Sequence, residues 1–247
     1  MAATCRAWAT SFAVACLGIT LGACASIVEY DDSTPASSTQ PWTVSAKPSA
    51  EHSVQNQSQG PQGSRSLRSE PDSPNATIAD YIRDQHITET PIRRGDPGAP
   101  QVDVVFPGGW TVTDQQIPDY AYGALVYTGV EAQNLSYPPN IVAVLSRLEG
   151  NVDPTKLLEF AGGEIKNLLA FVPVFDEPAT VSGHPAYRIA GGYEIDGVRA
   201  TAAQETVVIS GTGGPYILQL NATSNEREAN ILYNGLEAVV ASVDILS

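Results

Sequence analysis

Tyr187, Ile189, Gly191, Tyr193 and Ile195 occupy alternate positions, and the run closes on Asp196-Gly197. Period-two alternation places these side chains on one face of a β-strand. Asp-Gly supplies two positions that tolerate positive φ, which a two-residue hairpin turn requires. The segment Val198 to Ile209 therefore returns beside the first strand. Gly211-Thr212-Gly213-Gly214 turns the chain again, and Tyr216 to Ala222 forms a third strand. A meander of this kind commits the chain to an antiparallel sheet, whose apolar faces need cover from another layer.

The cover is legible as helices. Ile78 to Gln85 reads as the first, with Asn75 or Thr77 as its cap and Asp80 completing a capping box with Thr77. The second starts at Asp153, with Pro154 at the first helical position, where its missing N–H costs nothing. Leu157, Leu158, Ala161, Ile165, Leu168 and Leu169 follow helical spacing, and Gly162-Gly163 inside the run weakens it by about 1 kcal/mol per glycine relative to alanine. A final helix, capped by Asn225 with Glu228, carries Leu232, Leu236, Val239, Val240 and Val243 as its stripe. Gln101–Phe106 alternates as a strand, Pro107-Gly108-Gly109-Trp110 turns, and Tyr122–Thr128 and Ile141–Leu148 read as buried strands. The order is helix, strands, helix, meander, helix. It predicts an α/β (α+β) fold with an antiparallel-rich sheet covered by helices, without parallel βαβ alternation.

The N-terminus carries a different signal. Ala7 to Leu21 is apolar or small almost throughout, about 15 residues against the roughly 20 a membrane-spanning helix needs. Leu21-Gly22-Ala23-Cys24 follows directly. This is the pattern of a bacterial lipobox. Residues 1–23 are expected to leave as a signal peptide cut after Ala23, and Cys24 to carry the lipid. Cys5 and Cys16 depart with the leader, so the mature domain has no thiol and is held by packing alone. Residues 24–74 follow as a Ser-, Pro- and Gln-rich tether, too poor in large apolar residues to offset the entropy of ordering. A coil of that length spans about 35–40 Å on average. Residues 75–247 form one domain.

The chain has 27 acidic residues against 13 lysines and arginines, a formal net charge of −14. Such a surface repels phosphate backbones, and no basic run offsets it, which excludes nucleic acid as a partner. Catalytic signatures are missing: no G-x-S-x-G elbow, no P-loop and no metal-ligand spacing, so neither a metal nor a cofactor is expected. His184 lies in a turn sequence near Asp176 and Glu177, too close in the chain for triad geometry, and the acidic pair Asp176-Glu177 reads as solvated. The aromatic residues leave two readings open. Trp110, Tyr122, Tyr127, Tyr187, Tyr193 and Tyr216 either line a groove for an amphiphilic ligand, with phenol hydroxyls fixing its headgroup, or pack the sheet against its helices. Gly191-Gly192 inside a strand points to close approach of another backbone or a ligand.

Several stretches resemble one family. They include Thr77-Ile78-Ala79-Asp80-Tyr81-Ile82, Gly95-Asp96-Pro97-Gly98, Pro107-Gly108-Gly109-Trp110 and Gly150-Asn151-Val152-Asp153-Pro154. Gly163-Glu164-Ile165-Lys166-Asn167-Leu168, Gln204-Glu205-Thr206-Val207-Val208-Ile209 and Leu218-Gln219-Leu220-Asn221-Ala222 belong with them. Together they resemble the mycobacterial LpqN/LpqT lipoprotein family, closest to its LpqN branch. The resemblance implies a PsbP-like α/β/α sandwich, with helices on both faces of the sheet, and no catalytic residues. It also implies a membrane-anchored envelope lipoprotein on the outer face of the plasma membrane. The expected ligands and partners are mycolate-type glycolipids, envelope-assembly or transport proteins, or host proteins. A non-enzymatic binding module is the leading expectation, ahead of a surface or secreted effector and of a hydrolase with a cryptic site. Cys24→Ser is expected to leave an unprocessed, non-lipidated precursor. Mass spectrometry of the membrane fraction checks this, and acylation with trimming after Ala23 in the variant would overturn the anchor.

Overall fold

The computed structural model describes residues 73–114, 117–211 and 214–246. The leader, Cys24 and the tether up to residue 72 lie outside the described residues. Among the described residues ten strands are present: β1 (Thr88–Ile92), β2 (Gln101–Asp103), β3 (Trp110–Val112), β4 (Gly123–Tyr127), β5 (Asn140–Glu149), β6 (Val172–Val181), β7 (His184–Ile195), β8 (Val198–Ile209), β9 (Tyr216–Asn225) and β10 (Asp244–Leu246). The α-helices are α1 (Ile78–Asp84), α2 (Pro154–Phe160), α3 (Gly163–Lys166) and α4 (Ala229–Ser242). The main sheet runs β3-β4-β5-β9-β8-β7-β6, with β1 also paired to β5. All of its pairings are antiparallel. The predicted meander is its centre, and Asp196 and Gly197 turn it at φ of +51° and +76°.

Helices cover both faces. On one, Leu232, Leu236 and Val239 of α4 pack on Leu145, Val207, Leu218 and Leu220. On the other, Ile78 of α1 and Leu157 of α2 pack on Leu148, Val208 and Ile217. Ile165 of α3 packs on Ile189 and Ala202. Thr77 caps α1 in a complete capping box, and Asp153 caps α2 through the Thr155 N–H.

Several elements differ from the sequence reading. Gln101–Phe106 stays extended in a sheet only to Asp103, where β2 pairs β10 in a separate two-stranded sheet. Trp110, read as part of a turn, opens the short strand β3. The long second helix breaks at Gly162 into α2 and α3. The glycine pair has a packing reason: a Cβ on Gly163 would stand 2.0 Å from the Ala76 carbonyl oxygen. The segment before α1 crosses α3 there, and Asn75 bonds Asn167 instead of capping α1. Asn225 and Glu228 make no side-chain cap; a 3-10 turn over Glu226–Glu228 leads into α4. β1 and β6 were not foreseen. β6 is an edge strand carrying Pro173 and Pro178, exposed along most of its length, so it shows no alternation.

Gly191 meets the backbone approach expected of it, because a Cβ there would lie 2.2 Å from the Val172 carbonyl oxygen. At Gly192 the nearest atom belongs to the mobile end of Arg199. Gly191→Ala is therefore expected to destabilise the fold by about 1–3 kcal/mol, and Gly192→Ala by clearly less. Urea denaturation compares the two, and equal losses would contradict the packing.

Candidate functional site

Between the two apolar clusters on the α1–α3 side, the sheet turns polar. Strand register brings Ser146, Gln219 and Thr206, Gln204 and Asn221, then Thr223 and Asn140 onto this one face in successive rows. Ser146 and Thr206 are 0% exposed, Gln204 1% and Gln219 5%. An antiparallel strand covered on both faces ordinarily fills such positions with aliphatic residues. Each polar replacement forgoes about 1.5–3 kcal/mol of leucine-like burial. The amides are partly tied together: Gln204 Nε2 donates to Asn221 Oδ1 at 2.7 Å, and Thr206 Oγ1 to Gln204 Oε1 at 3.4 Å. Farther along, the Thr223 hydroxyl donates to Asn140 Oδ1 at 3.2 Å and contacts the Tyr137 hydroxyl.

Two carboxyls border this strip. Glu89 extends from β1, which pairs β5 so that Glu89 lies diagonal to Ser146. Glu164 extends from α3. Burial pushes Glu89 up to about 7, opposed by the Ser146 hydroxyl. Burial pushes Glu164 up to about 8, and the charges of Glu89 and Asp80 add to the rise. Tyr120, between β3 and β4, is raised by burial and by the charge of Glu164 nearby. Glu89 Oε1 and Ser146 Oγ are both buried, with the Ser146 hydroxyl beside the Glu89 carboxyl. The strip and its bordering carboxyls thus offer both donors and acceptors from fixed positions, the side-chain types that a hydroxyl-rich ligand needs.

A small apolar pocket, partly open to solvent, lies on the α4 side. Val102, Val104, Tyr122, Leu125, Leu220 and Val239 line it, with Arg94 at its edge. The Arg94 guanidinium stands 5.2 Å from the Tyr122 ring centre, and the Tyr122 hydroxyl accepts from the Val102 N–H at 3.2 Å.

The six aromatic residues do not share one groove. Trp110, Tyr122, Tyr127 and Tyr216 belong to the α4-side core, where the Trp110 and Tyr127 rings meet edge-on at 5.7 Å. Of the six, only Tyr122 borders the apolar pocket. Tyr216 donates to the Gly98 carbonyl at 3.2 Å. Tyr193 is buried on the opposite face with Ile165 and Ala200. Tyr187, on that same face, donates to Asp176, which also pairs with Lys166 at 2.9 Å. Asp176 and Glu177 are thus not simply solvated: they sit on alternate sides of β6, and Glu177 pairs with Arg188. His184 opens β7 with no triad around it. The residues missed from sequence are Ser146, Gln204, Gln219, Glu89 and Glu164. Glutamines inside the apolar runs of β8 and β9 were the available signal.

Buried Glu205, on the α4 side, is also raised to about 7 by burial, with Arg188 opposing. A carboxyl whose folded value lies above the ordinary 4.5 stabilises the fold fully below that pH and loses the contribution as pH rises through the folded value. Thermal stability is therefore expected to fall between about pH 4.5 and pH 8. Glu164→Gln should flatten the upper part of that decline in a melting series, and an unchanged slope would contradict the burial of this carboxyl.

Comparison with known proteins agrees with this architecture. The family described as probable lipoprotein LpqN matches residues 74–246. Lipoprotein LpqN of Mycobacterium tuberculosis is 43% identical over 167 residues, which cover 67% of this chain and 72% of the relative. The putative lipoprotein LpqT of Mycobacterium leprae is 24% identical over 173 residues, 69% of this chain and 76% of the relative. A crystal structure of LpqN, described as involved in cell envelope biogenesis of Mycobacterium tuberculosis, superposes with a TM-score of 0.65 at 42% identity. The match spans 70% of this chain and 99% of the crystallised one. A fold of helices on both faces of an antiparallel sheet and a family match over nearly all the described residues lead to one conclusion: the chain belongs to the LpqN lipoprotein family.

Proposed function

We propose that this protein is a non-enzymatic binding module of the cell envelope, held through Cys24 at the outer face of the plasma membrane. In this reading it takes the sugar headgroup of an amphiphilic, mycolate-type glycolipid at the polar strip between α3 and the sheet. The observation that carries the reading is the buried row Ser146, Gln219, Thr206 and Gln204, bordered by Glu89 and Glu164. Polar side chains at these positions forgo about 1.5–3 kcal/mol of apolar burial each, a cost that a ligand site would account for. Sugar hydroxyls each donate and accept, and amide and carboxyl side chains answer both roles. The crystallised relative's involvement in cell envelope biogenesis supports the same setting.

A protein-binding role, for an envelope-assembly or host partner, has one observation in its favour. β6 ends the sheet; Leu169 just before it is 67% exposed, and its own Val172 and Val174 are 58% and 63% exposed. A cryptic hydrolase gains nothing from the geometry around His184.

The domain from Ser73, purified from a mycobacterial envelope lysate, is expected to carry a stoichiometric glycolipid in native mass spectrometry. It should also bind octyl glucoside below its micelle concentration. Gln219→Leu, which keeps the volume and removes the amide, should weaken that binding at least about tenfold. A clean apo mass with no octyl glucoside binding would shift the reading to the β6 edge.

A further inference from the structure

Exposed apolar side chains gather at one corner of the sheet. Val172 opens β6 opposite Gly192, and Val174 stands in the β-bulge two residues on. Val198, 54% exposed, opens β8 opposite Ile195. Leu169 precedes β6, and its carbonyl accepts the Glu194 N–H at 2.8 Å, one residue from Ile195. Leu169 is held outward by structure on both sides of it. Leu168 before it and Phe171 after it pack on the Ile165 cluster. Ala170 between them takes a φ of +52°, a left-handed value that residues with a Cβ rarely adopt. The chain enters the domain at this same corner. Asn75 exchanges hydrogen bonds with Asn167, the residue that ends α3, two before Leu169.

We infer that this corner is the membrane-facing surface of the domain, with Leu169, Val172, Val174 and Val198 entering the lipid–water boundary. The inference rests on the anchor at Cys24 and is independent of the headgroup reading. The chain belongs to a lipoprotein family, and the stretch that leads back to Cys24 joins the domain beside Leu169. Tethering keeps the domain at a high local concentration of lipid, so a few apolar side chains are enough to orient it. The competing occupant is an added strand from another protein. Such a strand bonds to backbone N–H groups along the open edge, and Pro173 and Pro178 of β6 have none to give. A lipid surface asks for no such bonds. The charges around the corner are largely answered there: Lys166 pairs with Asp176 at 2.9 Å and Arg199 with Glu226 at 3.4 Å, and Glu194 lies across from Arg199. A corner with paired charges approaches anionic headgroups more easily than acidic surface does, in a chain of formal net charge −14. Asp196, exposed in the β7–β8 turn, keeps its carboxylate in water and limits the entry to headgroup depth.

Spin labels on the full chain, processed in a mycobacterial host and reconstituted into phosphatidylcholine vesicles, test this. With Cys24 lipidated, the mature chain has no other thiol, so one introduced cysteine takes the label alone. Leu169→Cys and Val198→Cys report on the corner. Leu246→Cys is the control, 53% exposed, on β10, whose Ile245 N–H bonds Ser182 beyond the far end of β6, about 30 Å away. Oxygen concentrates in lipid and a nickel chelate stays in water. The expected result is that oxygen collisions exceed nickel collisions at both corner labels and that the order reverses at Leu246→Cys. Adding Leu169→Asp and Val198→Asp to a Val172→Cys label should return that label to the nickel access of the control. Nickel access at the corner equal to the control overturns the inference, and so does a Val172→Cys label that ignores the two aspartates. Corner labels shielded from both reagents mean that protein covers the corner, which overturns it in favour of a protein partner, the tether or a second copy. A chain that carries no lipid and separates from the vesicles defeats the anchor, and the inference with it; none of these outcomes bears on the headgroup reading.

Discussion

The ladder from β5 through β9 and β8 to β7 is what the rest of the molecule depends on. It fixes, row by row, which side chains share a face. A slip of one residue in any of these pairings would send Gln204, Gln219 and Ser146 to the α4 side and Leu218, Leu220 and Val207 to the polar side. Both cores and the polar strip would be lost together. The Asp196-Gly197 turn sets the β7–β8 register, and the Gln204–Asn221 hydrogen bond closes the β8–β9 register at the centre of the polar strip.

The two faces are built for different tasks. Beneath α4 the sheet is mainly aliphatic and aromatic, Glu205 apart, and Trp110 packs on Gly235, where a Cβ would stand 2.3 Å from the indole. Beneath α1, α2 and α3 the apolar contacts are split into two clusters, and the polar strip occupies the gap between them. The break at Gly162-Gly163 serves that arrangement. It lets α3 sit close under the chain before α1, and it carries Glu164 to the edge of the strip. Among the described residues no lysine or arginine shifts Glu89 or Glu164, in a protein with a formal net charge of −14.

Much of the fold was legible because it is local. Alternation from Tyr187 to Ile195, the Asp-Gly turn, Thr77 with Asp80, and Asp153 with Pro154 each act within a few residues, and each appears where expected. What stayed hidden depends on partners distant in the chain. β6 is a strand because β7 offers it an edge, although its own prolines and exposed positions argue against one. β1 is a strand for the same reason beside β5. The aromatic residues were visible but not their distribution, since nothing local says that Tyr187 and Tyr193 face away from Trp110 and Tyr216. The polar strip was illegible because Glu89, Ser146, Glu164, Gln204 and Gln219 come from five separate elements. Only the glutamines, set within otherwise apolar strands, carried a trace of it.

The account stands on the polar strip being an occupied surface and not a wet core. The most direct measurement follows the side-chain amide NH2 resonances of Gln204, Gln219 and Asn221 by NMR while octyl glucoside is added to the domain. The account predicts that these three pairs shift together and saturate, with the Gln101 amide, in the separate β2–β10 sheet, unmoved. Shifts confined to residues around Tyr122 and Val239, with the strip amides silent, would contradict it and place the ligand in the apolar pocket beneath α4.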